Sequence, residues 1–171
     1  PANAMDTFIE SADILKNESY GFIIIGRGQE KERLKSLSES LSLENILFLD
    51  PVKKEYLPGI LPVFDILYLG YKNSELYRYG ICPNKLFDYM MAARPVIIGL
   101  GYSYSVIDTS ESVFQIEPGN PEQLANEIRR ISSTDAGTRK TNALKSREYI
   151  KKHHSYDVLT DRLLNIINGK D

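Results

Sequence analysis

Apolar positions along the chain follow two periods. From Asn3 to Lys16, Met5, Phe8, Ile9, Ala12 and Leu15 recur at helical spacing and Asn17 follows as a stop, which predicts an amphipathic helix. YGFIII (Tyr20 to Ile25) and NILFLD (Asn45 to Asp50) are instead short, continuous runs rich in β-branched and aromatic residues, the pattern of buried strands. Between them, Gln29 to Leu41 carries Leu34, Leu37 and Leu41 on one face and predicts a crossover helix. A proline-interrupted segment, Lys53 to Phe64, leads to a third strand, DILYLG (Asp65 to Gly70), and a polar, aromatic loop runs on to Cys82. A helix over Pro83 to Ala93 precedes two more strands, PVIIGL (Pro95 to Leu100) and VFQIEPG (Val113 to Gly119). From Pro121 onward there is no strand signal. Leu124, Ala125, Ile128 and Ile131 line one helix, and Leu144 to Ile150 and Val158 to Ile167 line two more.

Strands that are apolar throughout and alternate with helices imply a parallel sheet covered on both faces. The expected architecture is therefore α/β, a doubly wound, Rossmann-like sheet with a helical C-terminal tail, forming a single domain over residues 1–171. Such a domain normally begins with a central strand, whereas this chain opens in a helix. The expectation is a fragment without its first strand, whose gapped sheet edge invites pairing between chains into a homo-oligomer.

Composition narrows the chemistry. With 171 residues, 42% of them hydrophobic, the chain is long enough to bury one substantial core. A net charge of -2, with Lys and Arg scattered among Asp and Glu, offers no basic stripe for nucleic acid. Cys82 is the only cysteine and His153 and His154 are adjacent, so neither a disulfide framework nor a metal site is expected, and a reducing, cytoplasmic setting fits. The histidines end a basic helical stretch, Arg147 to His154, where positive charge favours a helix C-terminus. No apolar run approaches the ~20 residues of a membrane span, and the first residues lack the regions of a signal peptide.

One stretch combines several signals: YGICPNKLFDYMMAARPVI, Tyr79 to Ile97. Pro83 suits the first position of a helix, because its missing N–H has no intrahelical use there. The amides of Asn84, Lys85 and Leu86 then lack intrahelical acceptors and, with the helix dipole, attract an anion. Lys85 adds a full charge, and Gly80 lets a phosphate approach the backbone. Asp88 lies about one turn further along the same face, ~5.4 Å away, where its carboxylate can accept from two vicinal hydroxyls. A phosphate and a ribose fit this pair of features. An exposed Lys85–Asp88 ion pair is the plain structural alternative.

The same stretch resembles the donor-binding signature of retaining glycosyltransferases of GT-B architecture, family 4 type. The likeness extends along the chain through PANAMDTFIESADIL, FIIIGRGQEKERLK and NILFLDPVKKEYLPGIL. It implies the C-terminal, nucleotide-sugar-binding domain of a two-domain enzyme that moves a sugar from a nucleoside diphosphate, UDP being the expected nucleotide, to a hydroxyl acceptor. Bacterial surface polysaccharide is the implied product. The ribose-binding acid falls on Asp88, the diphosphate-facing loop and helix tip on Gly80, Ile81, Asn84 and Lys85, and the base-side residues on Gly26, Arg27, Val52 and Lys53. Many members carry an earlier acidic residue that touches the donor sugar; here that position is Gly80, and Glu75 is the candidate substitute. Cys82 replaces the usual Ser, and Ala92 to Arg94 the usual Ala-Gly-Lys. The resemblance implies no metal, no cofactor and no protein nucleophile. It leaves the acceptor pocket and catalytic base to an N-terminal partner domain, makes the isolated chain inactive, and puts any contact with the inner membrane face in that other half.

Other readings are narrower. Gly26-Arg27-Gly28 lacks the third glycine of a dinucleotide fingerprint and is followed by charged residues, which argues against NAD. The tyrosines of the loop at Tyr71, Tyr77 and Tyr79 suit a sugar pocket or a partner interface. A GT-B type sugar-nucleotide epimerase would need an acid and a base around the sugar carbon. A non-catalytic α/β interaction module is the reading from a different class.

Overall fold

Each apolar run contains a strand of four residues: β1 (Phe22–Ile25), β2 (Ile46–Leu49), β3 (Leu67–Gly70), β4 (Val96–Gly99) and β5 (Val113–Ile116). The helices are α1 (Met5–Ile14), α2 (Lys31–Ser40), α3 (Leu57–Ile60), α4 (Asn84–Met91), α5 (Ser105–Asp108), α6 (Pro121–Ser133), α7 (Ala136–His154) and α8 (Tyr156–Ile167). The structure, a computed structural model, describes residues 4–81, 83–102 and 104–169. Cys82, and Asn3 at the start of the first predicted helix, lie outside the described residues.

Side-chain caps explain the helix starts of the C-terminal third. Asn120 accepts from the Gln123 amide at 2.9 Å ahead of Pro121, Asp135 accepts from Thr138 at 2.9 Å, and Ser155 from Val158 at 3.4 Å. The short α5, and a 3-10 turn over Glu75–Tyr79, went unread in the sequence because neither is long enough to show a period.

All strand pairs are parallel, as expected, but they form two sheets rather than one: β1–β2, and β3–β4–β5 with β4 central. Among the described residues no strand lies between β1 and β3. Instead α1 bridges the seam through Phe8, whose ring meets Phe22 of β1 edge-on at 5.1 Å and stacks on Tyr68 of β3 at 5.4 Å. Burial pushes the Tyr68 phenol up to about 12, against a hydrogen bond with Thr7 that lowers it.

The core lies on both faces of the larger sheet. On one, Leu86 and Met90 of α4 and Ile150 of α7 pack against Val96 and Ile98; on the other, Ala12 of α1 and Leu124 and Ile131 of α6 pack against Ile97. Val96, Ile97 and Ile98 are fully buried, as a doubly wound centre requires. The second strand is a correction. It was expected to be buried throughout, but β2 is an edge strand whose burial alternates, with Leu47 52% exposed. At the other end of the chain, α8 leaves Leu163, Ile166 and Ile167 exposed.

Candidate functional site

In parallel sheets the loops that can hold a ligand leave the carboxyl ends of the strands. Here the seam between β1 and β3 opens into a cleft of about 1370 Å³ whose walls include Ile23, Ile25, Leu67 and Leu69. Five of the residues proposed from the sequence line it: Gly26 and Arg27 after β1, Val52 after β2, and Lys85 and Asp88 on α4. Asn84, Gly80, Ile81, Lys53 and Glu75 are not among its lining residues. Glu75 is exposed on the 3-10 turn, Ile81 packs against the core beside α4, and Lys53 pairs with Glu55 at 3.7 Å.

The helix tip differs in detail from the sequence reading. Pro83 is the N-cap, at φ -79° and ψ 83°, rather than the first helical residue, because that ψ is not helical. The Leu86 amide, expected to be free, donates to the Pro83 carbonyl at 2.7 Å. Asn84, Lys85 and Asp88 are all exposed, and among the described residues Lys85 and Asp88 form no ion pair with each other. Burial raises the Tyr89 phenol, and the negative charge of Asp88 beside it adds to that shift. Gly80 adopts φ +117° and Gly26 φ +154°, backbone conformations that a side chain would strain.

Charge is unevenly spent around the mouth. Arg33 forks onto Asp6 at 2.6 and 3.0 Å and holds Glu30 at 2.7 Å, so its own pKa rises and the Asp6 carboxyl is held below its usual value. Lys31 bridges the Leu49 carbonyl and Asp50 at 3.1 and 3.0 Å. Arg27, Lys72 and Lys85 line the cleft without forming an ion pair with any described residue. Lys72 was missed in the sequence, although it follows β3 by two residues much as Arg27 follows β1. Arg27, Lys72 and Lys85, an exposed carboxylate and an apolar seam suit an anion with a hydroxylated, partly apolar body.

The doubly wound fold is shared with GT-B glycosyltransferases. Over 98% of its length the chain superposes on 33% of a Staphylococcus aureus TarM variant in complex with Fondaparinux, alpha-GlcNAc-glycerol and UDP, with TM-score 0.80 and 22% identity. Anabaena HepE in complex with UDP-glucose gives TM-score 0.81 at 16% identity, over 99% of this chain and 46% of that one. In sequence the chain is 24% identical over 173 positions to the poly(ribitol-phosphate) alpha-N-acetylglucosaminyltransferase of Staphylococcus aureus (strain COL), covering 99% of this chain and 34% of that relative. Residues 1–134 match the family described as Glycosyl transferases group 1, and the chain belongs to it. It spans about a third of the length of that relative. Among the described residues no helix is long and apolar enough to cross a membrane.

Proposed function

We propose that this domain is the donor-nucleotide half of a retaining, family 4 type glycosyltransferase, which moves a hexosyl unit from a nucleoside diphosphate, UDP first among candidates, to a hydroxyl acceptor in bacterial surface polysaccharide synthesis. The observation that carries the reading is the convergence of Arg27, Lys72, Lys85 and Asp88 on one cleft at the carboxyl ends of β1 and β3. Asp88 accepts from the ribose hydroxyls. Lys85 and Lys72, with the amino end of α4, face the diphosphate, and Gly26, Arg27 and Val52 face the base.

The chemistry asked of these groups is electrostatic. As the glycosidic bond to the diphosphate breaks, negative charge grows on the leaving oxygens, and cations and helix amides already in place stabilise it without reorganising. The acceptor site and its base belong to a partner domain of the longer protein. The exposed apolar residues of α8, Leu163, Ile166 and Ile167, support such a neighbour. The full enzyme works in the cytoplasm.

Titration calorimetry of the chain with UDP, GDP and ADP tests the assignment. One nucleotide should bind saturably, and Asp88→Asn should weaken it about 10- to 100-fold, the loss of charged hydrogen bonds worth roughly 1.5–3 kcal/mol. Equal affinity in the variant would remove Asp88 from the site, and turnover by the chain alone would contradict the division of labour.

A further inference from the structure

A second cavity, of about 540 Å³, lies at the opposite edge of the larger sheet, between the turn from α4 into β4 and the helix α7. Four cations line it, Arg94, Arg139, Lys140 and Arg147, against one carboxylate, Asp65. In a chain of net charge -2 that concentration is local. Elsewhere Arg33, Arg129 and Arg130 each hold a carboxylate, but none of these four forms an ion pair with a described residue.

Two of the guanidiniums are fixed in place by neutral groups. Arg94 donates to the Pro62 carbonyl from Nε at 2.8 Å and also from Nη2. Arg139 Nη1 donates to the carbonyls of Ile131, Ser132 and Thr134 at 3.1, 2.9 and 2.7 Å. These bonds add no negative charge to the cavity while removing much of the side-chain freedom that a ligand would otherwise have to freeze, although the Asp135 carboxylate acts on Arg139 from a distance. Arg147 supplies the independent sign: its Nε is wholly buried and meets no acceptor among the described residues. A buried guanidinium donor without an acceptor is costly, and the charge of an anion beside the half-buried guanidinium would offset that cost.

We propose that this cavity binds a phosphate-bearing anion at a site distinct from the donor cleft. Several forked donors around one cavity suit the multiple oxygens of a phosphate better than a single carboxylate, which one arginine would neutralise. The two cavities border each other at Asp65 and Arg139, which line both, so distinctness rests on Arg94, Lys140 and Arg147, which line only this one. Pro95 precedes β4, whereas the donor residues follow the strands, and a strand of four residues separates the two edges by about 13 Å.

The phosphate can come from a free phosphoryl compound or from an anionic lipid headgroup, and the experiment has an arm for each. In the first, sodium pyrophosphate is titrated into ¹⁵N-labelled chain while the arginine Nε–H resonances are followed. Binding should move the Arg147 signal, weaken about tenfold in Lys140→Gln, an exposed position that leaves the fold intact, and survive Lys85→Gln. In the second, vesicles of phosphatidylglycerol should co-sediment the chain, vesicles of phosphatidylcholine should not, and Lys140→Gln should reduce capture. Either arm succeeding supports the site and names its source. Binding that is lost in Lys85→Gln and unchanged in Lys140→Gln belongs to the donor cleft and overturns the proposal, as does an Arg147 signal that neither probe moves.

Discussion

Ala93, the residue that follows α4 and its C-cap, has φ +53°. A left-handed conformation costs a non-glycine residue about 1–2 kcal/mol, and the position after a helix C-cap is where glycine commonly relieves it. Replacing Ala93 with Gly removes that strain and keeps the hydrogen bond from its amide to the Met90 carbonyl at 3.0 Å. Two terms oppose the gain: the extra freedom of glycine in the unfolded chain, about 0.4–1 kcal/mol, and the loss of a half-buried methyl, about 0.4 kcal/mol. The balance is a stabilisation of about 0.5 kcal/mol, or roughly 1–2 °C in Tm for a domain of this size. Its neighbour provides the control. Ala92 sits at φ -69°, ordinary helical backbone, so Ala92→Gly should lose about 0.5–1 kcal/mol. Urea unfolding followed by far-UV circular dichroism should therefore separate two adjacent, chemically identical changes by about 1–1.5 kcal/mol with opposite signs. Equal losses in both variants would refute the argument from backbone strain.

Ser146 of α7 meets Ser110 at 2.6 Å and accepts from the buried Ser112 hydroxyl at 2.7 Å, so Ser146→Ala should cost about 1–3 kcal/mol in the same unfolding assay. Adding Ser112→Ala should recover part of that loss, since it removes the stranded donor. The Asp6–Arg33 pair sets an acid dependence. Asp6 is held below 3.8, so its stabilisation is present above the unfolded value and is lost as pH falls through the lower folded one. Asp6→Asn should lower stability at neutral pH and converge on the parent chain below that window; parallel curves down to low pH would argue against the pair.

Much of this arrangement could be read along the chain because strands buried between helices have to be apolar on both sides. Val96 to Gly99 shows it most plainly, whereas the helix starts capped by Asp135 and Ser155 precede the apolar positions Leu144 and Val158 from which those helices are read. The cleft residues Lys85 and Asp88 could be proposed because one helix turn relates them. Lys72 could not, since its relation to Arg27 exists only once β1 and β3 stand side by side. The basic cavity was hidden for the same reason: Arg94 and Arg147 meet only through the packing of α4 against α7. The pairing order within each sheet left no local trace either, because hydrogen-bond partners between parallel strands are set by tertiary structure.

That division has a thermodynamic reach. Gly26, Arg27 and Val52 travel with the β1–β2 sheet and Lys85 and Asp88 with the β3–β4–β5 sheet, while Phe8 joins the two. A ligand that touches both halves acts as a clamp, and its binding is linked to their spacing as any ligand is to a conformation it prefers. The linkage is reciprocal: whatever steadies the seam raises affinity in the cleft by the same factor by which the ligand steadies the seam. Phe8, which lines the cleft and joins its two walls, is thus placed to tune how tightly the cleft holds it.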